Sequence, residues 1–211
     1  MIAAVIFDFG GVFTSSPFEA FNRYERERGL PENVIRRINS ANHLENAWAR
    51  FERAELDLDG FDEAFAAEAA ALGHHLPGRD VIPLLAGDVR PEMVEALRRI
   101  GARFKTGCIT NNVPSMQAVG ADRPDLLYRQ EIVEMFDEMI ESSKLGIRKP
   151  DPRIYAMMCE RLDVAPEECV YLDDLGGNLK PARAMGMITI KVESGPQAIA
   201  ELEAVTGMRL G

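Results

Sequence analysis

No apolar run in the 211 residues is long enough to cross a bilayer, and the first one, IAAVIF, lacks the basic flank and small-residue cleavage site of a signal peptide. A soluble, cytoplasmic protein with no membrane partner is expected. Positive charge is scarce as well: 24 Lys and Arg stand against 34 Asp and Glu, a net charge of -10. That balance repels phosphate backbones and predicts no nucleic-acid partner. Cys108, Cys159 and Cys169 are odd in number and show no CxxC spacing, and two lie in or beside apolar runs. Buried thiols in a reducing cytosol fit better than a disulfide framework. The histidines offer no metal pattern. His43 stands alone in SANHLEN, and His74 with His75 follows a glycine stop without an HExxH helix, so surface positions are expected. There is no internal repeat or low-complexity tract; the alanines around positions 64 to 71 reflect helix propensity.

The runs AAVIF, FKTGCIT, VYLD and MITIKV are short, rich in Val and Ile, and separated by helical patterns. This is how a buried parallel sheet reads. Between Ser15 and Asp88 no such run occurs, only amphipathic stretches such as PFEAFNRYERERG and FDEAFAAEAAALG, each stopped by Gly. The sequence therefore predicts an α/β fold: a Rossmann-like, three-layer parallel-sheet core from residues 1–14 and 89–211, with an all-helical insert, a cap, over residues 15–88. A chain of this length can bury a core and carry one such insert. The segment PEMVEALRRI opens with Pro at a first helical position and leads into the second strand, where the core resumes.

Polar clusters follow the apolar runs. Asp8 ends the first and precedes the loop FGGVFT; Thr110 and Asn111 end GCITNN; Lys149 lies in IRKPDPRIY; Asp173 and Asp174 lie in VYLDDLGGN. Strand C-termini are where open parallel sheets place reactive groups. A carboxylate is a poor nucleophile towards phosphorus because both partners are negative, so it needs a cation and hydrogen-bond donors on the phosphoryl oxygens. Asp8, Asp174 and the Gly10 carbonyl offer hard oxygen ligands suited to Mg2+. Thr110 and Asn111 would bind the phosphoryl group with a hydroxyl and backbone amides. Pro150 and Pro152 fix an extended turn that aims Lys149 before a helix near Arg153.

This order of motifs resembles the haloacid dehalogenase superfamily, subfamily IA, whose first motif usually reads DxDGT or DxDGV. Here it reads DFGGV. The resemblance implies that Asp8 is the nucleophile, that Asp174 is the metal aspartate, that Asp173 is auxiliary at a position often held by Gly, and that Asn178 orients the metal shell where the family often has a second acid. It also implies that Gly10 replaces the usual general acid and base. NAWARFERAELDLDGF, GIRKPDPRIY and YLDDLGGNLKPARAMGM are most similar to the N-terminal phosphatase domain of soluble epoxide hydrolases and to relatives fused to acyl-CoA dehydrogenases. The implied activity is Mg2+-dependent hydrolysis of a small organic phosphomonoester through an aspartyl phosphate, by a monomer or homodimer. The cap would choose the substrate. Phe18, Phe21, Asn42, Asn46 and Trp48 are candidates for that, with cap core the competing reading of the aromatics. Two alternatives remain: a 2-haloacid dehalogenase using cap arginines such as Arg23 or Arg50, and a phosphate-binding module without turnover. Phosphonate hydrolysis is excluded, because the stretch from Thr14 to Asp88 has no lysine to form a Schiff base.

Overall fold

A computed structural model describes residues 1–113 and 124–211. Its centre is an all-parallel sheet of β1 (Ala4–Phe7), β2 (Lys105–Thr110), β3 (Glu138–Glu141), β4 (Cys169–Asp173) and β5 (Ile188–Lys191), in the order β3-β2-β1-β4-β5. Four of these strands are the expected apolar runs. The fifth, β3, is not announced by the sequence: it is the edge segment EMIE, in which Ile140 alone is buried. An edge strand needs little apolar character because one side of it has no neighbour to bury against.

Side chains alternate across β1. Val5 and Phe7 pack under α6 (Pro91–Gly101) and α11 (Gly195–Thr206), whereas Ala4 and Ile6 pack under α9 (Pro152–Leu162) and α10 (Gly176–Ala184). Both faces of the sheet are thus covered, giving three layers. The α9 layer sits so close to β2 that a Cβ at Gly107 would come within 2.6 Å of the Met158 sulfur. Two further helices, α7 (Pro124–Val133) and α8 (Ser142–Leu145), flank β3 in sequence. Cys108, Cys159 and Cys169 are all buried and unbridged. Among the described residues, no helix is long and apolar enough to cross a membrane.

Between β1 and α6 the chain forms only helices: α1 (Pro17–Glu27), α2 (Val34–Ser40), α3 (Ala47–Glu52), α4 (Leu58–Ala71), α5 (Gly78–Val81) and a 3-10 turn over Ile82–Leu85. They bury a core of their own, in which the Phe51 and Phe61 rings stack with centroids 4.5 Å apart. Glu25 of α1, itself buried, accepts the backbone N–H groups of Asn33 and Ile35 and so caps α2 from outside. The chain leaves and re-enters the core at one place, where Thr14 and Val89 bridge and the Ser15 amide donates to the Asp88 carbonyl at 2.8 Å. Two of the expected substrate contacts turn out to be internal. Phe21 belongs to the insert's core, and Asn46 spends its side chain capping α3 and donating to the Asn39 and Ala41 carbonyls.

Candidate active site

The sheet order places β1 between β2 and β4, so successive connections leave β1 on opposite sides and open a crevice at its C-terminal end. Asp8 is the first residue past β1, and its amide donates to the Leu172 carbonyl of β4 at 2.8 Å. The next residues turn sharply. Gly11 has φ +75°, and a Cβ there would fall 2.3 Å from an Asp174 carboxylate oxygen, so only glycine lets this loop pass beside Asp174. Arg90, at the head of α6, donates to the Gly11 carbonyl at 2.9 Å and fixes the loop from the other side. Ser16, at the mouth of the insert, donates to Asp174 at 3.4 Å.

Lys149 is the hub. Its side chain is 1 % exposed, and Nζ lies 2.8 Å from Asp8 Oδ1 and 2.8 Å from Asp173 Oδ2. The lysine reaches this position because its backbone is clamped: Asn111 Oδ1 accepts the Lys149 amide at 2.9 Å, and Asn111 Nδ2 donates to the Lys149 carbonyl at 3.1 Å. The Asn111 side chain is therefore committed to holding the lysine segment. Pro152 opens α9 as expected, with Asp151 as its N-cap, and the Lys149–Pro150 peptide is cis.

Asp173 is completely buried, and both its carboxylate oxygens are used. Oδ2 accepts Lys149 Nζ, the Tyr171 hydroxyl at 2.5 Å and Asn178 Nδ2 at 3.0 Å; Oδ1 accepts the Leu175 amide at 2.8 Å and Asn178 Nδ2 at 3.1 Å. Asn178 thus orients Asp173, and Tyr155 in turn donates to the Asn178 carbonyl at 2.7 Å. Neither tyrosine stood out in the sequence. The signal for Tyr171 was nevertheless there, because residues two apart on a strand share a face, and Tyr171 precedes Asp173 by two.

Asp8, Asp173 and Asp174 each offer a carboxylate oxygen within 4.8 Å of the others. Three carboxylates against one ammonium leave an excess of two negative charges. Burial pushes the Asp8 carboxyl up to about 8, with Lys149 pulling down and Asp173 adding to the rise. Burial and then Asp173 push Asp174 up to about 6. Burial alone would lower the Lys149 ammonium; Asp173 and Asp8 more than reverse this, and its pKa is raised. An all-oxygen donor set with surplus negative charge is the chemistry a hard divalent cation satisfies, and Asp173, spent on five hydrogen bonds, serves the lysine instead.

The remaining expected residues lie near this cluster. Thr110 closes β2 one strand away, opposite Glu141 in register. Gly10 is exposed, and a Cβ built on it meets no atom within 4 Å.

The sequence profile of the haloacid dehalogenase-like hydrolases matches residues 2–186. The chain belongs to this family. Mouse acyl-CoA dehydrogenase family member 10 is 33 % identical to this haloacid dehalogenase-like hydrolase over 98 % of the chain, and mouse bifunctional epoxide hydrolase 2 is 32 % identical over 95 %. The chain spans only 19 % and 38 % of those two longer proteins. Phosphatase MT3486 of Mycobacterium tuberculosis (strain CDC 1551 / Oshkosh) is 29 % identical, with 93 % of the chain and 89 % of the relative covered. Among solved structures, a family enzyme of Bacteroides thetaiotaomicron in complex with magnesium and inorganic phosphate has a TM-score of 0.64 at 18 % identity, with 92 % of the chain and 96 % of the other covered. The L-2-haloacid dehalogenase of Xanthobacter autotrophicus, with chloropropionic acid covalently bound, has a TM-score of 0.62 at 22 % identity, with 99 % and 84 % covered.

Proposed function

We propose that this hydrolase is a Mg2+-dependent phosphatase of a small organic phosphomonoester, working through phosphorylation of Asp8. The observation that carries the reading is the Lys149 bridge: one buried ammonium 2.8 Å from both the nucleophile position and Asp173, with Asp174 beside them. Asp8, Asp174 and the Gly10 carbonyl would hold the ion, which supplies Lewis-acid neutralisation of phosphoryl oxygens when bound. Asp8 attacks phosphorus in line as the P–O bond to the organic group breaks and the alcohol leaves with a proton from water, and water then hydrolyses the aspartyl phosphate to release phosphate and restore Asp8. Lys149 stabilises charge on the phosphoryl oxygens, and Thr110 donates from the end of the neighbouring strand. The helical insert acts as a cap that excludes water and selects the organic group. Magnesium with phosphate on a neighbour of the same fold, and the phosphatase named among its relatives, support the assignment.

The dehalogenase alternative fits the charges poorly. A 2-haloacid and its halide product are both anions, and Asp174 would face them without a cation of its own. Gly10 favours the other alternative, a phosphate-binding module without turnover, since it removes the usual proton donor.

The deciding experiment is hydrolysis of an aryl phosphate with and without Mg2+, comparing the protein with Asp8→Asn and measuring 2-haloacid halide release in parallel. Mg2+-dependent phosphate release that disappears in Asp8→Asn is expected. Halide release without phosphate release would replace the reading with a dehalogenase, and silence in both assays would replace it with a binding module.

A further inference from the structure

The insert touches the core at a second place besides its hinge, and an ion pair lies at the centre of this contact. Arg148 Nε donates to Glu52 Oε2 at 2.5 Å, and another Arg148 nitrogen donates to the His43 carbonyl at 3.0 Å. Ser142, at the start of α8, donates to the Glu52 carbonyl at 2.7 Å. The other oxygen of Glu52 accepts the Trp48 indole N–H at 2.9 Å. Glu52, only 6 % exposed, therefore has one carboxylate oxygen on the insert and the other on the core.

Adhesion alone gives no reason for this arrangement. A buried ion pair holds two surfaces together no better than well-packed apolar residues of the same volume. What the pair does provide is a directional link to one residue. Arg148 immediately precedes Lys149, and the Asn111 clamp holds the Lys149 peptide from its other side. The Lys149 ammonium also acts on the Glu52 carboxyl, opposing the upward push of burial together with Arg148, so the link stands within electrostatic reach of the reacting lysine.

We propose that Glu52 is a positioning residue that couples seating of the helical insert to placement of Lys149, so that the phosphoryl site is complete only when α3 is docked on Arg148. The inference rests on the phosphatase reading of Asp8 and Lys149. It assigns the insert a role in catalysis separate from substrate choice: a cap that is not seated leaves the lysine segment without its tie to α3, while Asn111 and the carboxylates keep theirs.

The test is a kinetic double-mutant cycle with Glu52→Gln, Arg148→Gln and the double variant, on an aryl phosphate at saturating Mg2+, with rates normalised to folded protein. A misplacement of about 1 Å costs on the order of 100-fold, so each single variant should lose about 10- to 100-fold in kcat with KM within about 3-fold. The double variant should be no slower than the slower single, because both changes break one link. Arg148→Lys, which keeps the charge, should recover most of the kcat lost in Arg148→Gln, and this pair of variants carries the test if Glu52→Gln does not fold. Trp48, the chain's one tryptophan, should change its emission in Glu52→Gln and much less in Arg148→Gln. Unchanged kcat in a folded single variant, or losses that multiply in the double, would overturn the coupling while leaving the phosphatase reading standing. An unmutated protein that releases no phosphate would overturn both.

Discussion

Gly10→Asp should raise turnover selectively for phosphates with poor leaving groups. A positioned general acid contributes about 100- to 10,000-fold, equivalent to roughly 3–5 kcal/mol of barrier, and the largest share goes to a departing alkoxide that must be protonated. The local structure imposes no tax on the change. Gly10 is not among the positive-φ glycines, its added Cβ meets nothing within 4 Å, and the position is exposed. The carbonyl offered to the cation is a backbone group and survives the substitution. Against a simple alkyl phosphate the gain in kcat/KM should therefore reach about 100-fold or more; against an aryl phosphate, whose phenolate leaves without much help, it should stay near tenfold or below. The assay is a pair of Michaelis curves on the two substrates at saturating Mg2+, with folding checked by thermal melt. If both substrates are turned over at unchanged rates by the folded variant, the missing acid is not what limits this enzyme and the argument from the DFGGV loop is wrong.

Two further outcomes follow from the charge cluster. Asp8 and Asp174 have folded-state pKa values of about 8 and about 6, above the 3.8 of an unperturbed aspartate, so their stabilising contribution is present at low pH and lost as pH rises. Metal-free protein should melt at falling temperature from about pH 4 to about pH 8, and Mg2+ should raise the melting temperature more at pH 8 than at pH 5; a flat profile in both conditions contradicts the cluster's charge count. Lys149→Met strands Asp173 and Asp8 in the interior without their cation, a loss of about 3–5 kcal/mol, or roughly 6–20 °C for a domain of this size. Differential scanning fluorimetry measures it, and a drop of only a degree or two would mean that Tyr171, Asn178 and the Leu175 amide suffice to hold Asp173.

Legibility in the sequence followed burial. Strands β1, β2, β4 and β5 could be read because each is an apolar run in otherwise helical sequence, whereas β3 could not, since an edge strand of four residues with acids at both ends has no distinguishing pattern. The absence of any such run between Ser15 and Asp88 matches the helices found between β1 and α6. Asp8, Lys149 and the Asp173–Asp174 pair stand out in the sequence as polar groups after apolar runs, and the fold brings them together. The parts that could not be found act through long-range contacts. Arg148 and Glu52 are 96 residues apart, and Arg90 and Gly11 are 79 apart; no local spacing announces either pair. Asn111 was legible as a strand-end residue, but its task was not, because the side chain faces the lysine backbone 38 residues away.

The same contacts tie Asp8 to its neighbours. Lys149 is shared between Asp8 and Asp173, with Nζ 2.8 Å from each. Tyr171 and Asn178 fix Asp173 from two further directions, so the lysine is delivered as a rigid group rather than a free cation. One ammonium cannot balance three carboxylates in a buried crevice, and burial, opposed by Lys149 and aided by Asp173, pushes the Asp8 carboxyl up. A protonated carboxyl does not attack phosphorus. On the proposed phosphatase reading, a cation near Asp174 would lower the Asp8 pKa and offset the repulsion a phosphate dianion meets on entry, so one binding event would both free the nucleophile and admit the substrate. Phosphate affinity and nucleophile ionisation should then show the same dependence on Mg2+ concentration, and a phosphate affinity indifferent to Mg2+ would separate them.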